Sequence, residues 1–184
     1  WRGPAPAWLL GRWWKGHGTA PAAASQRRLG EPATVDVRID DRSQDWARTL
    51  GAGVISNEPL CLQLPGGTAP AELPGFAEGA WSVQDRNAAR IVPLLPSGGT
   101  RVADLCAAPG SKTVQLARRF DNAEVFAFEL HPKRANLVRE TLERCALSAI
   151  ITVGDATALA AEKGPFDRIT LEDRKSTRLN SSHV

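Results

Sequence analysis

No run in this 184-residue sequence reaches the roughly 18 to 20 apolar residues that a membrane-spanning helix needs, and no charged, apolar, small-residue series reads as a signal peptide. A membrane partner is therefore not expected, and the cytoplasm is the expected compartment. Cysteine is scarce. Cys61, Cys106 and Cys145 lie far apart and match neither a zinc-ligand spacing nor CxxC, which fits buried or loop thiols in a reducing compartment. Histidine is equally thin: His17 and His131 stand too far apart in sequence to suggest a metal centre, so no metal is expected. Two nucleotide signatures are also missing. GxxxxGK[ST] does not occur, with only Lys112-Thr113 resembling its end, and the lack of GxGxxG disfavours a nucleotide-dependent oxidoreductase.

A dominant charge is lacking as well. The chain carries 23 Lys+Arg against 20 Asp+Glu, a formal +3. The last residues, DRKSTRLNSSHV, are polar and without period directly after a strand-like segment, and they resemble the in-frame translation of a common sequencing adapter. We expect the biological sequence to end near Leu171 or Glu172, with residues 173–184 an artefact to set aside. Residues 1–172 then hold 20 basic against 19 acidic side chains, so net charge says almost nothing about nucleic acid. A sequence that opens on Trp1 without Met is expected to lack its amino end too.

What is present is an ordinary soluble composition, 42% apolar and 23% charged, in a length that suits one domain or a small domain plus part of a second. The most informative stretch is RVADLCAAPGSKT, residues 101–113. A short apolar run (Val102, Ala103, Leu105) meets small residues, a proline and a glycine, and a helix-like segment follows. A strand that stops in such a turn, with a helix directly after it, gathers unpaired backbone N–H groups around one small cavity. The ligand is either a nucleotide-like cofactor at the carboxyl edge of a parallel sheet or a phosphate at the helix N-terminus, and the missing GxxxxGK[ST] weakens the second.

Around that stretch the chain divides into segments. In residues 1–30, Trp8, Leu9, Trp13 and Trp14 fit one face of a short helix ended by Gly16 and Gly18. A buried aromatic cluster is the safer reading there, and an RNA-stacking patch with Arg12 and Lys15 is the alternative. Residues 31–73 read as a small α+β unit. It has a half-buried strand Thr34–Ile39, a helix Asp41–Leu50 with Trp46 and Leu50 inward, and short strands at Val54-Ile55 and Leu60–Leu64. Residues 74–95 read as a linker and a helix Asp85–Leu95 that turns Ala88, Ala89, Val92 and Leu95 inward and is bent by Pro93.

From residue 96 to 172 strands alternate with helices. The strands are Arg101–Leu105, Glu124–Phe128 ending in Glu129, Ile150–Val153 and Phe166–Leu171. The helices are Lys112 or Thr113 to Phe120, with Thr113, Leu116, Ala117 and Phe120 inward, and Pro132 to about Cys145, with Ala135, Val138, Leu142 and Cys145 inward and a Glu140–Arg144 surface pair. That alternation implies a parallel sheet with right-handed crossovers.

DLCAAPGSKT resembles the cofactor loop of the class I S-adenosylmethionine-dependent RNA cytosine-C5 methyltransferases (Sun/Nop2-like), the family that includes the bacterial 16S ribosomal RNA enzyme and usually reads DLCAAPGGKT. PGFAEGAWSVQD before the loop, Glu129, VGDA (Val153 to Ala156) and FDRI (Phe166 to Ile169) follow the family's order and spacing. The resemblance implies an α/β fold, the first half of a Rossmann-like S-adenosylmethionine methyltransferase domain, preceded by a small α+β RNA-binding subdomain. It implies S-adenosylmethionine as cofactor and RNA, foremost 16S ribosomal RNA, as partner. A methyltransferase for transfer RNA cytosine or another acceptor, and a non-catalytic RNA-binding protein, are the alternatives.

The resemblance also assigns residues. Cys106, Ala107, Ala108, Pro109, Gly110, Ser111 and Lys112 would wrap the methionine part, Glu129 would accept from the ribose diol, and Asp155 would face the adenine. Glu172 stands where the family has an Asp close to cofactor and target base. Ser111 replaces the usual glycine: at positive φ it would be strained by about 1 kcal/mol, and at negative φ its hydroxyl merely adds a donor. Gln84 and Asp85 are read as scaffolding, and Asp104 as an organiser of the loop. The family's cysteine nucleophile and its Pro-Cys both fall beyond Leu171, so this polypeptide is expected not to transfer methyl, and Cys106 takes a binding position and not the nucleophile's.

Overall fold

The computed structural model describes residues 5–172; the proposed adapter-derived tail lies outside them. The chain opens with a helical hairpin, α1 (Ala7–His17) and α2 (Thr19–Leu29), turned at Gly18 with φ +84°. The buried reading of the tryptophan cluster is corrected here. Trp8 is 65% and Trp14 43% exposed, because the two short helices close on each other through Leu10 and Ala22. The second helix was not anticipated, since its Thr-Ala-Pro-Ala-Ala-Ala run has no apolar period.

The first sheet has the order β2-β3-β1-β4, formed by β1 (Val35–Ile39), β2 (Gly53–Asn57), β3 (Leu60–Leu64) and β4 (Trp81–Val83), all antiparallel. Val37 is paired to Leu62 on one side and Val83 on the other. The α3 helix (Trp46–Leu50) covers the sheet, placing Trp46 and Leu50 in a core with Val37, Ile39, Leu62, Leu64 and Trp81. It starts later than Asp41 because that carboxylate turns back onto the Ser43 amide and hydroxyl, leaving Asp45 to cap the helix through the Arg48 amide.

The fourth strand is the main surprise. The sequence places Trp81–Val83 in a linker, yet it completes this sheet, and Trp81 is entirely buried with its indole N–H donating to the Pro74 carbonyl. Two glycines make the approach possible. At Gly75 (φ +81°) a Cβ would sit 2.2 Å from the Trp46 ring, and at Gly79 (φ +66°) 2.6 Å from the Arg144 carbonyl oxygen and the Cys145 Cα.

After β4, Asp85 caps the short α4 (Arg86–Ala89) through the Asn87 and Ala88 amides. A 3-10 turn at Val92–Leu94 carries Pro93, so the helix expected over Asp85–Leu95 is broken into two pieces. The second sheet is wholly parallel, in the order β7-β6-β5-β8, from β5 (Arg101–Asp104), β6 (Glu124–Glu129), β7 (Ile150–Val153) and β8 (Arg168–Thr170). Three helices connect them: α5 (Ser111–Arg119), α6 (Pro132–Arg144) and α7 (Ala156–Lys163).

The inward set on α6 is as expected: Ala135, Val138, Leu142 and Cys145 are all buried. On α5 the buried face is wider than the sequence period shows, taking in Val114 and Gln115 besides Thr113, Leu116 and Phe120. Its far side meets α6 and the segment around α4, where Gln115 donates to the Ala89 carbonyl at 2.7 Å. The short α7 was not foreseen. Leu159 and Ala160 anchor it against Phe126, Phe128 and Phe166.

Substituting Gly79→Ala should destabilise the protein by about 2 kcal/mol or more, through positive φ together with contact on the α6 backbone. Gly11→Ala, with open space around it in mid-helix, should be neutral or stabilising by up to about 1 kcal/mol. Urea unfolding of the two variants checks the contrast.

Candidate cofactor site

In a sheet ordered β7-β6-β5-β8, the chain leaves β5 in one direction through β6 and β7 and returns on the other side as β8. The crevice at such a reversal opens at the carboxyl ends of the strands. There the structure has a cleft of about 790 Å³. Cys106, Ala107, Ala108, Pro109, Ser111, Lys112, Glu129, Asp155 and Glu172, spread over 67 positions of sequence, all line it. Gly110 does not. Its φ is +112°, and its α-carbon faces α6, where a Cβ would lie 3.0 Å from the Thr141 Cβ and 3.3 Å from the Val138 Cα. Gly110 serves the close approach of two helices and the sharp entry into α5, while the alanines before it present backbone to the cleft.

The loop is held from behind. Asp104, wholly buried at the end of β5, accepts from the Cys106 amide at 3.4 Å and from the Thr113 hydroxyl at 2.9 Å. Burial raises its pKa above the ordinary carboxylate value, with the Lys112 charge and the Thr113 bond pulling the other way. The Ala107 amide donates to Phe128 O at 3.0 Å and the Leu105 amide to Thr170 O at 2.9 Å, so the strands on both sides pin the turn. Pro109 O accepts from the Thr141 hydroxyl at 2.8 Å. The first helical bond of α5 runs from the Val114 amide to Gly110 O, which leaves the N–H groups of Ser111, Lys112 and Thr113 ahead of the helical ladder.

Ser111 resolves its own question. It is the first residue of α5 and is not among the non-glycine residues with positive φ, and its hydroxyl donates to Val83 O of β4 at 2.9 Å. The residue that replaces the family's glycine is therefore unstrained and adds a bond to the first sheet.

Glu129 ends β6 only 4% exposed. One carboxylate oxygen accepts from the His131 amide at 3.1 Å and lies 3.5 Å from Arg134. His131 takes part through its backbone, its ring lying exposed at the start of α6. Arg134 also reaches Ala108 O at 3.4 Å, tying the acidic strand end to the loop. Arg134 was not singled out in the sequence; the signal available was a basic residue in the first turn of the helix that follows an acidic strand end.

Asp155 caps α7, accepting from the Thr157 amide at 2.8 Å and hydroxyl at 2.7 Å, and these bonds lower its pKa. Lys112 lies 3.3 Å from the Glu172 carboxylate, and both residues line the cleft. Leu105, Leu130 and Ala156 supply apolar wall. Gln84 and Asp85 also line the cleft. Of the other thiols, Cys61 and Cys145 are buried away from it, as expected, and burial pushes the Cys61 thiol up.

The comparisons agree with this geometry. Residues 91–177 match the family model described as 16S rRNA methyltransferase RsmB/F. The chain resembles this family over that stretch. Over 179 residues it is 32% identical to ribosomal RNA small subunit methyltransferase B of Cronobacter sakazakii, covering 91% of this chain and 41% of that protein. Over 103 residues it is 42% identical to the protein of the same name from Yersinia pestis, covering 54% and 24%. The chain thus spans about two fifths or less of the length of these curated relatives.

Among solved structures it resembles a methyltransferase homolog protein from Pyrococcus horikoshii, with TM-score 0.62 and 20% identity over 90% of this chain and 58% of that one. It also resembles NSun6 from the same organism, solved with SFG, with TM-score 0.66 and 14% identity over 91% and 70%. These last two likenesses speak to fold. They place the chain's parallel sheet among Rossmann-like folds.

The buried Asp104 carboxyl makes the stability of the fold depend on pH. With its pKa raised in the folded state, its proton is held equally by folded and unfolded chains below the ordinary carboxylate range. As pH rises from about 4 towards neutrality the unfolded chain releases the proton first, so unfolding becomes easier. Across that window the wild type should lose stability relative to Asp104→Asn in urea titrations, and parallel profiles would contradict the assignment.

Proposed function

We propose that the chain supplies the cofactor-binding half of an S-adenosylmethionine-dependent methyltransferase that modifies carbon 5 of cytosine in RNA, with 16S ribosomal RNA as the substrate. The observation that carries the reading is the pairing of the Asp104–Lys112 turn with Glu129 across one cleft at the sheet reversal. The fit is chemical. S-adenosylmethionine presents an amino acid end, a ribose diol and an adenine around its sulfonium, and the cleft offers groups suited to these three parts.

Small residues at Ala107 and Ala108 let the backbone approach the methionine end, and the leading amides of α5 suit its carboxylate. Glu129, fixed by His131 N–H and Arg134, keeps its second carboxylate oxygen for the ribose hydroxyls. Asp155 and the wall of Leu130 and Ala156 take the base. The cofactor supplies an electrophilic methyl on sulfur. The protein's part is to hold that methyl in line and to keep water from it.

Cytosine carbon 5 is a poor nucleophile, and the family resemblance assigns its activation to a cysteine thiolate beyond Leu171, with the target base unstacked from its RNA to enter the pocket. Cys106, in the loop at the end of β5, is assigned to the cofactor side. The names borne by the curated relatives favour ribosomal RNA of the small subunit over transfer RNA. The small sheet ahead of the parallel one is the natural candidate to grip that RNA, and localisation in the cytoplasm accords with such a substrate; no helix among the described residues is long and apolar enough to cross a membrane.

Calorimetric titration with S-adenosylhomocysteine tests the cofactor half of this reading. Hydrogen bonds to a charged acceptor contribute roughly 1.5–3 kcal/mol each, so Glu129→Ala should weaken binding by about tenfold or more. An affinity unchanged by that substitution would remove the ribose role.

A further inference from the structure

Arg38 lies in β1, where alternation along the strand points it away from the Val37 and Ile39 core and predicts a solvent-facing side chain. The structure contradicts that. Arg38 is 2% exposed, because the start of α5 meets that face of the sheet at Ser111. All three of its guanidinium nitrogens donate. It grips Asp40 through Nε at 2.9 Å and a terminal nitrogen at 2.8 Å, donates to the Gln84 side-chain oxygen, and donates to the backbone carbonyl of Ser111 at 3.0 Å.

The last contact crosses 73 positions of sequence and ends on the residue where the cofactor loop becomes α5. Asp40 in turn lies 3.8 Å from Arg118 of α5 and accepts from Ser82 of β4 at 3.4 Å. Gln84 passes the chain of bonds to Gln115 of α5 at 3.3 Å. Ser111 closes the circuit by donating its hydroxyl to Val83 O.

A planar fork that satisfies a carboxylate, an amide and a carbonyl at once fixes their relative positions in a way a single ammonium cannot. A buried charge of this kind is dear to maintain and is not needed to close a sheet edge. Its partners are split between the small sheet and the loop that lines the cleft.

We propose that Arg38 is a positioning residue through which the small sheet sets the shape of the cofactor loop, so that ligand in the cleft and order in the β1–β4 seam favour one another. The inference rests on the reading of the cleft as a cofactor site and adds to it a coupling between the two sheets. Coupling is reciprocal: whatever steadies the seam tightens the ligand, and ligand steadies the seam. An RNA strand that engages the small sheet would then raise cofactor affinity without touching the cofactor.

The test uses the 184-residue chain and S-adenosylhomocysteine. Arg38→Lys keeps a positive charge beside Asp40 and gives up the simultaneous hold on Ser111 O. Measured well below its Tm, it should bind about tenfold more weakly than wild type. A lowered Tm with unchanged affinity would mean that Arg38 only stabilises the seam, and would overturn the proposal.

Should that variant fail to fold, hydrogen exchange on the wild type decides. Ligand should slow the amides of Asp40 and Asp41, which both bond to Ala80 O and lie outside the cleft lining, more than those of remote β2. Equal effects, or none at the seam, would overturn the proposal. Failure of the wild type to bind at all would instead remove the cofactor reading, and the coupling with it.

Discussion

A carboxyl group with no exposed surface, Asp104, is the fixed point from which the site is built. Its two oxygens reach forward to the Cys106 amide and sideways to the Thr113 hydroxyl, so the turn that leaves β5 and the helix that follows it are bound to one residue. Small side chains in between let that turn stay narrow, and Gly110 lets α5 start close against α6. Glu129 and Asp155 then arrive at the same crevice because the parallel strands end at the same edge, with Asp104 paired to Ala127 and Glu129 to Val153. The cleft is thus a consequence of strand order, and its chemistry a consequence of what terminates each strand.

The joint between the two sheets is the second organising feature, and it is largely polar. Arg38 bonds Ser111 O, Arg118 donates to Gly79 O at 2.9 Å, and Arg144 donates to Phe76 O and Trp81 O while its guanidinium lies 4.1 Å from the centre of the Phe76 ring. Three arginines from different elements therefore hold the segment between Pro74 and Gln84. Breaking such a buried arrangement from one side costs far more than it gains when complete, which favours a defined orientation of the two sheets over a loose tether.

Much of this was legible in the residues. The strand-turn-helix at 101–113, the inward set of α6 and the acidic strand end at Glu129 each followed from local period and local chemistry. What escaped the sequence were contacts made at long range. Arg144 was expected to pair with Glu140 on a helix surface, and the seam claims it instead. Arg38 looked like the outer face of a half-buried strand, since alternation cannot show that a second domain covers that face. Trp81–Val83 is too short a run to announce itself as a strand, and only its pairing with β1 makes it one. The exposed Trp8 and Trp14 failed for the converse reason, because aromatic residues at helical spacing say that a face exists and not that anything lies against it.

The claim beneath all of this is that a single ligand spans the turn after β5 and the ends of β6 and β7. Nuclear magnetic resonance of the labelled chain during titration with S-adenosylhomocysteine tests it most directly. The account predicts saturable shifts concentrated at the amides of residues 105–112, 129–131 and 154–157. Amides that stay still throughout, or that move only in the α1–α2 hairpin, would contradict it.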